Sequence, residues 1–256
     1  MDNRNGTEMR SLERALAVLT VFSFTKTEMS LKEITEKLNL PKSTVHRILA
    51  TLQKNNFIEK NEETDTYQLG YKVMELGIIA ADCYEIQKVA ISEMRNIVKV
   101  SQQTSNLYVK QGFERLCIRQ MEGGRYIKRI SNVGSVRPLY CGAGKVFLAF
   151  AKEDFLQEYF ENIELTKFTK HTVTSKKTIM KELKEIREQG YTSSLGEYED
   201  ATASVAAPIY NFKNEVEAVL TISGPAYEFT PKKISEYKDI LIKACSKLSV
   251  KLGAKK

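Results

Sequence analysis

A chain of 256 residues, 42% hydrophobic and 28% charged, has room for about two ordinary domains, each with its own core. No apolar run reaches the ~18 residues a membrane span needs, and the polar start MDNRNGTEMR holds no apolar signal segment, so a cytoplasmic protein without a membrane partner is expected. Cys83, Cys117, Cys141 and Cys245 lie too far apart, and too far from His46 and His171, for a zinc knuckle or a disulfide framework; buried free thiols, no metal and no cofactor are expected. The net charge of +7 suits a polyanion, yet residues 1–70 hold ten Lys and Arg against ten Asp and Glu, so any basic face there is a local feature.

Ser11 to Phe22 reads as an opening helix with Leu12, Ala15, Leu16, Leu19 and Phe22 on one face. Leu31, Ile34 and Leu38 recur at i, i+3 and i+7 and mark a second amphipathic helix. Asn39-Leu40-Pro41 ends it. Proline lacks the amide hydrogen that would extend a helix and suits the first turn of the next, where Ser43 or Thr44 can accept from free amides. The third helix buries Val45, Ile48, Leu49 and Leu52 and presents Lys42, Ser43, Thr44, His46, Arg47, Thr51 and Lys54, with no carboxylate among them. Phe57 to Lys60 and Thr66 to Leu69 then read as strands around the polar turn Asn61 to Asp65, a wing.

Helix-turn-helix spacing also arises in bundles that never meet nucleic acid, and a charged helix face is usually only solvated. The proline-broken turn, the acid-free third helix and the hairpin together favour a winged helix-turn-helix that binds double-stranded DNA. Arg47 is the expected base reader, because its fork matches guanine O6 and N7. Lys42 and Lys54 act as point charges on phosphates, and Ser43 and Thr44 suit either task. His46 fits a surface polar residue as well as a base contact, and Lys60 adds to the same small basic surface.

Tyr71 to about Val100 reads as helix, broken near Asp82 to Glu85. Its first part is apolar on more than one side through Val73, Met74, Leu76, Ile78 and Ile79. Such a helix wants several neighbours, from its own chain or from the same helix of a second subunit. Strand-like pieces follow at Ser105 to Lys110, Arg115 to Met121 and Tyr126 to Ile130. Helices are expected at Ala143 to Lys152, Asp154 to Glu161 and Lys176 to Gln189, the last closed by Gly190. Strands return at Tyr191 to Leu195, Ser204 to Tyr210 and Ala218 to Ser223, before a final helix from Pro231 to Leu252. Without βαβ regularity this predicts an α+β fold with an antiparallel sheet flanked by helices. The expected division is 1–70 for the winged head, 71–84 for a linker helix and 85–256 for the second domain.

The segments SLERALAVLTVF, LPKSTVHRILATL, YQLGYKVMELG, PLYCGAGKVFLA, LKEIREQGY and EYEDATASVAAPI to LTISGP stand in the order shown by the IclR-type transcriptional regulators, and the chain resembles that family over nearly its whole length. The resemblance implies a regulator, read as a repressor, with a winged helix-turn-helix head, a linker helix involved in dimerisation or a dimer of dimers, and a GAF-like domain that binds a small-molecule effector, commonly an organic acid or aromatic compound. Carried over residue by residue, it places Gly142, Ala143, Glu197, Ser204, Thr221 and Ser223 around that effector.

The chemistry agrees with an anion. Gly142, Ala143 and Gly144 offer amides at the start of a helix, with tight packing of helix on sheet as the alternative explanation of the glycines. Thr221 and Ser223 point to one face of a strand. Lys145 is expected to snorkel or to be paired. Ala201 replaces the family's usual glycine and Ser204 its usual cysteine, which makes the pocket more polar and suits a hydroxylated or sugar-derived carboxylic acid. The competing class is an enzyme with a DNA-binding head. It lacks a site: Cys141 and Cys117 have only His171 as a potential base in the C-terminal domain, no GxSxG, P-loop or HExxH occurs, and Glu197, Glu199 and Asp200 read as an exposed acidic loop.

Overall fold

The computed structural model describes residues 9–82, 84–124 and 133–255. The chain divides into two compact units, Met1–Cys83 and Tyr84–Lys256.

The first unit runs α1 (Arg10–Thr20), β1 (Glu28–Ser30), α2 (Leu31–Leu38), α3 (Lys42–Lys54), β2 (Ile58–Asn61), β3 (Thr66–Leu69) and α4 (Tyr71–Asp82). Val18, Val21, Met29, Ile34, Val45, Leu49, Ile58 and Tyr67 close its core, so the helices pack on a small antiparallel sheet in the order β1-β3-β2. Strand β1 escapes a periodicity reading because three residues are too few to show alternation. Helix α1 stops at Thr20, two residues before the predicted end at Phe22. Helix α2 starts on a reciprocal cap: Glu33 N donates to Ser30 Oγ at 3.3 Å and Ser30 N donates to Glu33 Oε2 at 2.8 Å. It ends on Asn39 in the left-handed region, φ 50°.

The expected cap on α3 is corrected. Pro41 occupies the cap position and no side chain caps the helix, so the Thr44 and Val45 amides turn to the Pro41 carbonyl instead of to Ser43 or Thr44 hydroxyls.

The second unit runs α5 (Glu85–Ser101), β4 (Thr104–Gln111), β5 (Glu114–Met121), β6 (Val136–Pro138), α6 (Gly144–Ala149), α7 (Glu153–Asn162), α8 (Lys176–Gln189), β7 (Thr192–Leu195), β8 (Thr202–Tyr210), β9 (Val216–Pro225) and α9 (Pro231–Lys251). Its six strands form one antiparallel sheet in the order β6-β5-β4-β9-β8-β7. Alternation along the strands divides the core. Leu107, Val205, Ala207, Leu220 and Ile222 meet Met94 and Ile97 of α5 and Leu241 and Leu248 of α9 on one face. Tyr108, Cys117, Ala206 and Val219 meet Val146 of α6, Leu156 and Tyr159 of α7, and Leu183 of α8 on the other.

The α+β architecture with helices on both faces of an antiparallel sheet is therefore present. The helix read at Ala143 to Lys152 is shorter, because the chain turns at Phe150 and Ala151 to start α7. The expected strand Tyr126 to Ile130 and Cys83 lie outside the described residues. No described helix is long and apolar enough to cross a membrane.

Candidate functional site

Helix α3 presents a continuous exposed face. Val45 and Leu49 are buried beneath it, with Ile48 and Leu52 half-buried beside them. At 3.6 residues per turn Ser43, Arg47, Ala50 and Lys54 fall in one line opposite that core, and all four are exposed. His46 and Gln53 flank the line on one side, Thr44 and Thr51 on the other. Lys42 stands at the N-terminal end. All seven residues predicted from the pattern thus share one surface. Alanine at position 50 leaves its centre free of bulk, so a groove-facing ligand can approach the helix backbone there. Arg14 of α1, which the pattern did not single out, lines a groove with Thr44, Arg47 and Thr51 and adds a cation beside them.

The wing behaves differently from the expectation. Lys60 Nζ lies 2.8 Å from Asp65 Oδ1 and 3.2 Å from Glu62 Oε2, so its charge is already matched within the hairpin. Lys60, and Lys42 from further off, hold the Asp65 carboxyl below its ordinary value. With Glu62, Glu63 and Asp65 around it, the wing tip is acidic and is no grip for phosphate. Replacing Lys54 by alanine is expected to weaken DNA binding across sequences and to reduce the slope of log affinity against log salt by about 1. Replacing Lys60 should leave that slope unchanged. Anisotropy titrations at several salt concentrations check both.

In the second unit, register brings distant polar residues into two adjoining rows. Ser194 pairs with Ser204, Ser204 with Ser223, and Ser223 with Thr104 across four strands. The next row carries Thr221 opposite Asn106 and Asn106 opposite Gln120. Asn106 Nδ2 donates to Ser223 Oγ at 2.8 Å and to Thr221 Oγ1 at 3.4 Å, so both hydroxyls face the same way as predicted. Asn106 Oδ1 accepts from Gln120 Nε2 at 3.0 Å. This polar end continues the sheet face that α6, α7 and α8 cover elsewhere. Gly142 adjoins it: a Cβ there would sit 3.6 Å from Ser194 Oγ.

The two glycines around Ala143 have separate reasons. Gly142 has φ +51°, a backbone that disfavours any side chain, whereas a Cβ on Gly144 would come within 2.5 Å of the Leu139 carbonyl oxygen. Gly144 is thus a packing glycine, and Gly142 is the one beside the polar rows.

Charge surrounds this end. Lys145 is only 2% exposed, and its Nζ lies 2.7 Å from both Glu182 Oε2 and Glu197 Oε2. Burial pulls its ammonium pKa down, but Glu197 and Glu182 outweigh burial and hold it above the usual lysine value. Arg115 and Arg137, register partners on β5 and β6, are both buried. Arg115 donates to the Cys141 carbonyl, and Arg137 donates to Glu199 Oε1 at 2.9 Å while stacking over Tyr198.

The exposed acidic loop is corrected here. Glu199 and Asp200 are exposed, but the Glu197 side chain is only 12% exposed and is paired, because Thr169 and Thr172 hydroxyls hold the Gly196 and Glu197 carbonyls and turn that segment inward. Asn106, Ser194, Arg115 and Arg137 were not legible as site residues. A lone Asn or Arg in a strand carries no periodic signal until its neighbours across the sheet are known. Cys117, Cys141 and Cys245 are buried free thiols. Burial pushes the Cys141 thiol up to about 12, the reverse of what a nucleophile needs.

The model described as "Bacterial transcriptional regulator IclR C-terminal" matches residues 79–250, and the IclR helix-turn-helix domain matches residues 11–62. The chain belongs to the IclR family. Over 96% of its length and 98% of the relative's, it is 31% identical to the HTH-type transcriptional regulator XynR of Escherichia coli (strain K12). The crystal structure of the Thermotoga maritima IclR matches with a TM-score of 0.75 at 32% identity, covering 96% of this chain and 99% of that one. An IclR homologue of Microbacterium hydrocarbonoxydans, crystallised with 4-hydroxybenzoate, shares the fold at a TM-score of 0.81 and 21% identity, over 94% and 98% of the two chains. This IclR-family member is a DNA-binding transcriptional regulator. The enzyme alternative falls, since the family's named members are regulators.

Proposed function

We propose that the protein is a cytoplasmic repressor that holds double-stranded operator DNA through the exposed face of α3 and releases it when a small carboxylic or sugar-derived acid binds beside Gly142. The observation that carries the effector class is the meeting of two polar rows, Asn106, Ser194, Ser204, Thr221 and Ser223, with the buried cations Arg115, Arg137 and Lys145. Hydroxyls and an amide suit a hydroxylated ligand, and the cations suit its carboxylate. The 4-hydroxybenzoate bound to the Microbacterium homologue is itself a hydroxylated acid.

Assembly as a homodimer or a dimer of dimers is supported by α4, where Tyr71, Met74, Leu76, Ile78 and Ile79 are exposed, and by Met9, Leu12 and Leu16 on and next to α1. In such an assembly an effector that prefers one arrangement shifts the spacing of the heads relative to two half-sites. A coupling of about 1–3 kcal/mol would change operator affinity roughly 5–150-fold.

The test is an anisotropy titration of the purified protein onto its own promoter DNA and a scrambled duplex at one stated salt concentration, followed by a panel of carboxylic acids. Preference for the promoter, relieved by one acid, is the expected result. Equal binding to both duplexes would overturn the reading. Calorimetry in which hydrophobic aromatic acids bind and sugar acids do not would overturn the polar-pocket part alone.

A further inference from the structure

Glu197 already fills the place where the reading above would put a ligand carboxylate. Its Oε2 accepts from the Gly142 amide at 3.0 Å and lies 2.7 Å from Lys145 Nζ. A backbone amide and a buried ammonium converging on one carboxylate oxygen form a charge-assisted donor set of the kind that holds a bound acid. Here the chain supplies the acid itself. The backbone on both sides is pinned, since Thr169 and Thr172 donate to the Gly196 and Glu197 carbonyls at 2.6 and 2.7 Å. The side chain, with three rotatable bonds, can leave the donors without moving that backbone.

Charge decides what must happen when an acid arrives. Lys145 already faces two carboxylates, Glu182 and Glu197. A third carboxylate brought to the same two donors would sit against Glu197 in a buried place, where like charges a few ångströms apart are strongly disfavoured. Exchange removes the conflict: one carboxylate leaves as the other enters, and the local charge is unchanged.

We propose that Glu197 is an internal competitor for the effector, occupying the carboxylate position until an acid displaces it from Gly142 and Lys145. The inference rests on the effector reading above and adds its threshold. A tethered competitor acts at an effective concentration on the order of millimolar or more. A bare short carboxylate therefore wins only at high concentration. An acid that also engages Asn106, Ser204 and Ser223 wins at a lower one, which makes the displaced glutamate a source of specificity.

Cys141-Gly142 is the only Cys-Gly pair in the sequence. Carbonyl-13C cysteine with 15N glycine therefore isolates the Gly142 amide as a single resonance in the full chain. Sodium acetate is titrated into wild type, Glu197→Ala and Glu197→Gln, with sodium chloride at matched ionic strength and neutral acetamide as controls. In Glu197→Ala the resonance should shift and saturate at acetate concentrations at least about tenfold below those needed in wild type, and acetate should raise the variant's melting temperature selectively. Glu197→Gln, which keeps the acceptor and loses the charge, should fall between, and it decides the matter if the alanine variant does not fold. Acetamide should do neither.

Acetate that leaves the variants' Gly142 amide unmoved, or that moves wild type at the same concentrations, overturns the proposal. Operator DNA is absent from this experiment. Failure of exchange at Gly142 is therefore distinguishable from failure of any acid to shift operator binding.

Discussion

Arg47→Ala is expected to weaken operator binding by about 1–3 kcal/mol, roughly 5–150-fold, and to relax the preference for operator over scrambled DNA. Arg47 lies in the exposed line of α3, one turn beyond Ser43 and two turns before Lys54, on a face without a carboxylate. Its planar fork can make two parallel hydrogen bonds to one base edge, which a lysine ammonium cannot, so Arg47→Lys should recover nonspecific affinity better than specificity. Because the side chain is exposed and outside the core of Val45 and Leu49, the melting temperature should stay near that of wild type. Anisotropy on both duplexes, with calorimetry for an effector acid, checks the result. Equal loss of DNA and effector binding would mean that the substitution had damaged the fold.

Lys145→Met should be the most destabilising single change at the second unit's polar end. The methionine fills similar volume but leaves Glu182 and Glu197 facing each other across a buried position, one at 31% and the other at 12% side-chain exposure. Breaking a buried pair in this way costs about 3–5 kcal/mol, because the stranded charge keeps its desolvation penalty. For a unit of this size that corresponds to a fall in Tm on the order of 10 °C. Adding Glu182→Gln and Glu197→Gln to Lys145→Met should restore much of the loss, since no unpaired charge remains buried.

The pH dependence has a defined sign. The Lys145 pKa is raised above its ordinary 10.5, so the pair's contribution is fully present below that value and is lost as pH rises through the higher folded-state pKa. The gap in Tm between wild type and variant should therefore hold through neutral pH and narrow only in strongly alkaline buffer. A single variant that melts with wild type at pH 7 would show that Lys145 is not carrying that charge balance.

How much was legible follows the range of the interactions. The helices of the winged head, the break between α4 and α5, and the glycine end of α8 depend on residues within a few positions of one another, and the sequence pattern located each of them. Short pieces were missed: β1 and β6 have three residues each, too few for alternation, and exist because a neighbouring strand offers hydrogen bonds. The wing was legible as a hairpin but not as an acidic tip. Lys60 reads as part of the small basic surface until the turn brings Glu62 and Asp65 onto it.

The candidate effector site divides the same way. Gly142, Glu197, Ser204, Thr221 and Ser223 were reached by resemblance and strand alternation, whereas Asn106, Ser194, Arg115 and Arg137 became site residues only through register across the sheet.

What the amino-acid sequence by itself determined was the type of element at each long periodic segment, the acid-free exposed face of α3 and the family. Local propensity and side-chain spacing suffice for those. Which charges are matched was decided only by tertiary structure. Lys145 met Glu182 and Glu197 from positions 37 and 52 residues away, and the Glu197 carboxylate reached the Gly142 amide across 55 residues. Such pairings depend on where the folded backbone places the two partners, and no local pattern encodes that distance.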